Sequence, residues 1–416
     1  MSGYTNANPA VQGNYSGIEL ASHVTAYGGY YMGDLGTRGI IGWVGTLFVD
    51  HYDYTQDRAF LSNTTYPMLV EAAAFFESYL TFNATTGVYD LDNVCALEGC
   101  TLRGKDSGAP QRNVAMTKGW IAATFKAVHR LSSVLGVDAE LRPTWLHYLQ
   151  KMAPYPTTTS HNQTVFDECE HSNDFGGNAR YPVVNFGHIH PAAMITKLSV
   201  SEELMQIGRN TVNQINKING WAPTNGLCLA WPPAAIVSNN ASYTLDGFTS
   251  GLHRTMMPNF VPQILSGCLS EQAGALQGIN DLMMQSYDGV IVLYPAGWDE
   301  KDAKGGGREN KSAAPTPAAS PASSFSSLRA RGAFLVSASW ENGAVGGSVV
   351  IKSDAGSNCS FANPWGNAAG GSTPSVHDAT TGQLVPFAGV PVSSAAGKVY
   401  TFPTERGGSY VITKVT

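Results

Sequence analysis

Two glutamates stand where a carboxylate could move a proton. Glu98 lies in the run Tyr89-Asp-Leu-Asp-Asn-Val-Cys-Ala-Leu-Glu-Gly-Cys100, an irregular loop between helical hairpins, short enough for Cys95 and Cys100 to bridge in an oxidising compartment. Glu271 precedes a helix predicted over Gly274 to Met284, whose apolar face is Ala275, Leu276, Ile279, Leu282 and Met283. There it is either a cap on the helix N–H groups or an acid aimed into a cleft. Hydrolysis of a glycosidic bond with inversion uses two such groups about 6.5–9.5 Å apart, one protonating the leaving oxygen and one activating water. On the residues alone, each also fits the plainer role of loop acid or helix cap.

Other chemistries lack their residues. The chain has no P-loop, no dinucleotide fingerprint, no His-Glu-x-x-His and no Gly-x-Ser-x-Gly. His188-Ile-His190 could place two imidazoles on one side of a strand, but a third ligand is missing nearby, so neither a metal nor a cofactor is expected. The six cysteines show no zinc-ligand spacing.

Composition narrows the partners. A 416-residue chain with 43% hydrophobic content can bury a sizeable core, and its net charge of −6 argues against a nucleic-acid partner. No apolar run approaches a membrane span. The 45 glycines, 10% aromatics and only 13% charged residues suit an extracellular protein with many loops and ring surfaces for sugar contacts. Glycan acceptor triplets begin at Asn14, Asn63, Asn83, Asn162, Asn240, Asn310 and Asn358. The start, Met-Ser-Gly-Tyr-Thr, lacks a signal peptide, so the expectation is a secreted protein whose true N-terminus is missing from this chain.

The elements that must position these residues fall into two kinds. Residues 1–37 read as loop with one short helix. Helices are predicted over Ile40 to Tyr54 and Tyr66 to Leu80, over Val114 to Leu135 with Gly136 as C-cap, and over Leu141 to Met152. A further helix opens at the capping-box spacing Ser199-x-x-Glu202 and runs to Gly220. Helical hairpins separated by long loops fit an ordinary helical domain, and equally an (α/α)6 toroid whose loops build a central cleft. The span 303–327 is a low-complexity Gly/Ala/Ser/Pro run, expected to be mobile. Strands then follow at Phe334 to Trp340, with Asn342-Gly343 as a hairpin turn, and at Ser348 to Lys352, Gln383 to Phe387, Gly397 to Phe402 and Ser409 to Val415. The expected organisation is therefore mainly α: a helical domain over 1–302, an insert over 303–327 and an antiparallel β-sandwich over 328–416.

Four stretches carry a family resemblance. Gly36 to Leu80, with Asp-His-Tyr-Asp-Tyr-Thr-Gln-Asp-Arg-Ala-Phe-Leu, resembles a helical hairpin of glycoside hydrolase family 95. Asn280 to Pro295, Leu328 to Ala338 and Asn363-Pro-Trp365 are similar to late signatures of that group, in the same order. The resemblance implies an (α/α)6 catalytic domain with a C-terminal β domain, and exo-acting, inverting hydrolysis of α-L-fucosides or α-L-galactosides in glycan substrates. By position, it implies Glu98 as general acid and the loop carrying Glu271 as the source of the general base. It also implies His23, Glu170 and His190 as substrate-contact candidates. The chain departs from the group's fucosidases at Ser270-Glu-Gln-Ala-Gly274, where they have Asp-Gly-Asn-Phe-Gly, and it lacks a counterpart of their paired asparagines and of their N-terminal β domain. It therefore resembles the C-terminal portion of a longer enzyme from an uncharacterised branch.

Two further readings stand beside the hydrolase. One is a catalytically silent carbohydrate-binding protein that keeps the cleft. The other is a polysaccharide lyase, which would use His23, Tyr27 and Tyr30 to abstract a proton.

Overall fold

The computed structural model describes residues 15–20, 23–24, 30–31, 38–96, 111–172, 175–177, 183–221, 227–258, 269–297, 322–366, 372–394 and 396–415; at 23–24, 30–31, 227–228 and 269–272 it describes the backbone alone. The chain is helical first and sheet-forming at its C-terminal end.

Within 15–37 the described regular structure is a two-residue antiparallel pair, β1 (His23–Val24) on β2 (Tyr30–Tyr31), where one short helix was expected. Helix α1 (Ile40–Thr55) is capped from a distance. The buried Glu19 carboxylate accepts from the backbone N–H of Gly39 (2.8 Å) and Ile41 (3.1 Å), supplying partners that the N-terminal turn lacks. The link to the next helix holds more than a simple turn: α2 (Arg58–Phe60), capped by Asp57, leads into a π-helical turn at Leu61–Thr65 and then α3 (Tyr66–Tyr79). A hairpin, β3 (Thr81–Asn83) and β4 (Val88–Asp90), follows. Next come α4 (Ala115–Leu135), α5 (Arg142–Lys151), a second hairpin of β5 (Thr157–Ser160) and β6 (Gln163–Phe166), and α6 (Val183–Phe186).

Helix α7 spans Glu202–Asn219 and ends as predicted at Gly220, whose φ of +66° suits a residue without a Cβ. Its cap differs from the predicted one. Ser201 Oγ accepts from the Leu204 N–H at 3.4 Å, while Ser199 Oγ is occupied by Thr196, so the Ser199/Glu202 spacing does not form a box here. Glu202 pairs instead with Arg209. Helices α8 (Leu227–Val237), α9 (Ala241–Thr255) and α10 (Leu269–Met283) complete the helical series.

Two sheets end the chain. One has the order β11-β10-β12-β17-β14, with β9 also on β10. Its members are β9 (Ser323–Ala330), β10 (Phe334–Glu341), β11 (Ala344–Val345), β12 (Ser348–Ser353), β14 (Pro374–Asp378) and β17 (Ser409–Lys414). The predicted Asn342-Gly343 turn joins β10 to β11, both residues at positive φ. The other sheet runs β15-β16-β13-β8-β7, from β7 (Met284–Gln285), β8 (Val290–Leu293), β13 (Cys359–Ala362), β15 (Val392–Ser394) and β16 (Gly397–Phe402).

Four features depart from expectation. Strands β7 and β8 precede the expected boundary at 302 yet belong to a C-terminal sheet, because the apolar run Val290–Leu293 pairs with β13. That β8–β13 pairing is parallel, in a region expected to be antiparallel throughout. Ser323–Ser327, the end of the low-complexity run, is strand because β10 supplies its ladder, which local composition does not reveal. Gln383 to Phe387 forms a bridge at Leu384 in place of a strand.

The packing has two centres. The first gathers Ile41, Leu69, Phe76, Trp120, Phe125 and Trp145 from α1, α3, α4 and α5. The second joins Ile215, Trp231, Phe248 and Leu282 of α7 to α10 to Phe334, Ile351, Phe361 and Phe402 of the sheets. Helices α7–α10 and the C-terminal strands thus share one buried apolar surface.

Candidate functional site

The loop that carries Glu98 is fastened at both ends. Val94 and Gln111 exchange backbone hydrogen bonds of 3.2 and 2.6 Å, and the Ala96 N–H donates to Gln111 Oε1 at 2.5 Å. Below that, Leu91 donates to the Asn113 side-chain oxygen at 2.9 Å, and the Asn113 N–H donates to the Leu91 carbonyl at 2.7 Å. Tyr79 Oη secures the Asp92 carbonyl at 2.8 Å. Cys95 is disulfide-bonded. Glu98 and Cys100 lie outside the described residues, so the expected acid and the expected Cys95–Cys100 pairing are not placed.

At the root of this loop a polar group opens to solvent. Asp90, at the end of β4, accepts from Asn113 Nδ2 (2.9 Å), Asn83 Nδ2 (2.9 Å) and the Arg112 guanidinium. Burial alone would raise the Asp90 carboxyl. The Asn113 and Asn83 amides and the Arg112 charge outweigh it and hold the group below its ordinary value, so it stays ionised. Arg112 reaches on to Asp92 at 3.1 Å and to Glu170 at 3.7 Å, and Asn113 Nδ2 donates to Glu170 Oε1 at 2.7 Å. Asp90 thus orients Arg112 and Asn113, and those two orient Glu170. The side chains of Arg112 and Glu170 remain 43% and 32% exposed, which leaves them accessible to a ligand.

A drier layer lies beside this group. Lys118, in the first turns of α4, is 1% exposed, donates to the Pro154 carbonyl at 2.6 Å and sits 5.6 Å from the Tyr155 ring centroid. Burial pushes its ammonium down to about 7 against the opposing charges of Glu170 and Asp90. His188 also packs on Tyr155, their ring centroids 4.6 Å apart and the planes tilted by 30°. His188 is fully buried, and desolvation followed by the Lys118 charge brings it to about 3, so the ring is neutral.

His190 faces another place. It lines a cavity of about 560 Å3 with Asp50 and Tyr54 of α1, Gln277 and Asp281 of α10, and Arg331 in the β9–β10 turn. Arg331 donates to Asp50 at 2.6 Å and lies over the rings of Tyr54 and Tyr287, while the Gly332 N–H donates to the Asp53 carbonyl at 2.6 Å. The turn therefore ties the sheet to α1. Asp281 accepts from Gln277 (3.0 Å) and Tyr287 Oη (3.2 Å), and burial pushes its carboxyl up to about 7. Burial likewise lowers His190 to about 4, with Asp50 opposing and Arg331 assisting.

The sequence-predicted candidates are thus distributed. Glu170 joins Arg112, Asn113 and Asp90 at the root of the Glu98 loop; His190 belongs to the Arg331 cavity. The two imidazoles of His188-Ile-His190 meet different surroundings, one against Tyr155 and Phe166, the other near Asp50 and Arg331. No group of three or more His, Cys, Asp or Glu placed to hold a metal occurs among the described residues. Glu271 lies in the first turn of α10, since the helix begins at Leu269, earlier than the predicted Gly274; its side chain is outside the description. His23 is placed by its backbone pairing with Tyr31. Sequence reasoning missed Asp90, Arg112, Asn113, Lys118 and Asp281. Arg112 and Asn113 carried a signal, as polar residues closing a loop immediately before α4.

A helical domain with a carboxylate-rich opening and a C-terminal sheet region is the class that this geometry defines. Residues 26–232 match the glycosyl hydrolase family 95 catalytic domain. The matched segment includes Glu98, Glu170 and His190 and stops before Glu271. No curated protein matches the chain. Among solved structures, a chain described as a kojibiose phosphorylase from the human microbiome aligns with TM-score 0.40 and 10% identity over 77% of this chain and 44% of its own. A Streptomyces avermitilis alpha-L-rhamnosidase complexed with L-rhamnose aligns with TM-score 0.40 and 13% identity over 93% of this chain and 34% of its own. Scores this low carry no argument, and the chain spans less than half the length of either structure.

Proposed function

We propose that the chain is a glycoside hydrolase that removes a terminal α-L-fucosyl or α-L-galactosyl residue from a glycan with inversion. In this reading Glu98 gives its proton to the leaving oxygen as the glycosidic C–O bond breaks. Water adds to the anomeric carbon from the opposite face and loses its proton to Glu271. The observation that carries the reading is the group at the root of the Glu98 loop. Glu170, held by Asn113 at 2.7 Å and Arg112 at 3.7 Å, presents a pre-oriented acceptor for sugar hydroxyls, and Arg112 presents donors beside it. Its residues fall inside the family 95 match.

The same reading takes the helices as an (α/α)6 toroid, the two sheets as a β-sandwich, and the site of action as outside the cell. The seven acceptor triplets and the disulfide at Cys95 support that location. The test is release of monosaccharide from aryl α-L-fucoside and α-L-galactoside, with Glu98→Gln and Glu271→Gln as controls. Turnover that each substitution lowers at least 100-fold supports the assignment; turnover indifferent to both removes it. Sugar binding without turnover would favour the silent protein, and an unsaturated product absorbing in the ultraviolet would favour the lyase.

A further inference from the structure

Of the seven glycan acceptor triplets, those at Asn14 and Asn310 lie outside the described residues, and the other five are committed to the fold to unequal degrees. An N-linked glycan puts a bulky, hydrated group on the asparagine amide nitrogen, so the folded chain has to present that nitrogen to water. Recognition of the triplet also uses the hydroxyl two residues on.

Four triplets have a member that the fold withholds. At Asn83 the amide is in use: Nδ2 donates to Asp90 at 2.9 Å, and Oδ1 accepts from the Thr85 and Thr86 N–H groups at 3.0 and 3.3 Å. At Asn240 the half-buried side chain caps α9 through the Tyr243 N–H at 2.8 Å, and Ala241 beside it is buried. The Asn63 triplet sits inside the π-helical turn, where Thr65 is fully buried and its hydroxyl donates to the Phe48 carbonyl at 3.4 Å. The Asn358 triplet runs into β13, where Cys359 is buried and the Ser360 hydroxyl bonds that of Thr401 at 2.8 Å.

Asn162-Gln-Thr164 differs from these, since all three of its residues are exposed. Asn162 belongs to the two-residue turn His161-Asn162 that joins β5 to β6, both at positive φ, which places it at the hairpin tip. Among the described residues neither the Asn162 amide nor the Thr164 hydroxyl has a hydrogen-bond partner. Other atoms hold the hairpin to α7: Asn210 donates to the Thr164 carbonyl at 3.0 Å, and Gln214 to the Ser160 carbonyl at 2.9 Å. A glycan at the tip removes none of these contacts.

We propose that Asn162 is the N-glycosylation site among the five described triplets and that Asn83 stays bare. The inference rests on the extracellular location proposed above. The donor is a lipid-linked oligosaccharide diphosphate. The Asn162 amide nitrogen forms a C–N bond to the anomeric carbon, the C–O bond to the diphosphate breaks, and the amide proton is lost as the lipid diphosphate leaves.

The experiment takes the full chain from the cells that naturally make it, medium and cell fractions alike, and from a eukaryotic host that secretes it behind a cleavable leader. Peptide-N-glycosidase F in heavy-oxygen water converts each occupied asparagine to labelled aspartate, and peptide mass spectrometry reads the occupancy. The expected result is occupancy at Asn162 in both preparations, roughly 5-fold or more above that at Asn63, Asn83, Asn240 or Asn358. Asn162→Gln and Thr164→Ala should each remove one glycan step on a gel, and Asn83→Gln none. A bare Asn162, or an occupied Asn83 in folded, secreted protein, overturns the selection. Protein that is glycosylated at Asn162 in the host, yet glycan-free and retained inside its own cells, overturns the extracellular location and the natural modification with it, and leaves the choice among triplets standing.

Discussion

Asn113 uses one amide nitrogen to hold two carboxylates, Asp90 at 2.9 Å and Glu170 at 2.7 Å. The side-chain oxygen of the same residue accepts from Leu91, so a fully buried asparagine links the end of β4, the root of the Glu98 loop and the half-buried Glu170. Preorganisation of Glu170 depends on this residue.

Replacing Asn113 with alanine removes three side-chain hydrogen bonds, leaving the Leu91 N–H without a described acceptor and Asp90 with only Asn83 and Arg112 as described side-chain donors. The expected cost is about 2–4 kcal/mol, from a small network of buried polar groups partly left unsatisfied. Urea unfolding measures it. Under the proposed function KM should also rise, because Glu170 would keep only Arg112 as a described partner; an Asn113→Ala protein as stable as the parent contradicts the network.

The Arg331 cavity predicts opposing pH effects. Between the ordinary value of 3.8 and about 7 the folded chain keeps a proton on Asp281 that the unfolded chain has released, so this group lowers stability as pH rises through that window. Between about 4 and 6.5 the unfolded chain binds a proton that folded His190 refuses, so this group raises stability as pH rises. Asp281→Asn should therefore gain stability relative to the parent from pH 4 to pH 8, by on the order of 4 kcal/mol at most, read from unfolding curves at the two pH values. A gain independent of pH would contradict burial as the cause.

The contact between α4 and the turn at Gly187–His190 is backbone on backbone. A Cβ added at Gly119 would stand 2.5 Å from His188 Cα, where no rotamer change relieves it. Gly119→Ala should cost about 1–3 kcal/mol through overpacking and move His188 away from Tyr155. Equilibrium unfolding checks the first effect and near-ultraviolet circular dichroism the second. Gly136→Ala, at a φ of +77° that favours glycine but with open space around it, should leave the near-ultraviolet signal unchanged.

Periodicity revealed the helices because each buries one face: the apolar positions of Ile40–Thr55, Tyr66–Tyr79 and Glu202–Asn219 are local information. Strand β8 was hidden because its partner β13 lies tens of residues away, Ile291 on Phe361, and the start of β9 because its ladder comes from β10, Ser324 on Ser339, and not from its own composition. The site divided in the same manner. Glu170 was legible through family resemblance, but its dependence on Asn113, 57 residues earlier, exists only in three dimensions. Lys118 looked like one more helix residue, since burial and an exclusive neighbourhood, rather than spacing, make it unusual. His188 and His190 shared a motif and proved to serve separate surroundings, one ring against Tyr155 and the other lining the Arg331 cavity.

The central claim is hydrolysis with inversion by Glu98 acting with a base across the sugar. Its most direct measurement is the anomeric configuration of the first sugar released from an aryl α-L-fucoside, followed by proton NMR before mutarotation. The account predicts β-L-fucose as the initial product, at a rate that Glu98→Gln reduces at least 100-fold. Initial α-L-fucose, or a rate untouched by Glu98→Gln, would contradict it.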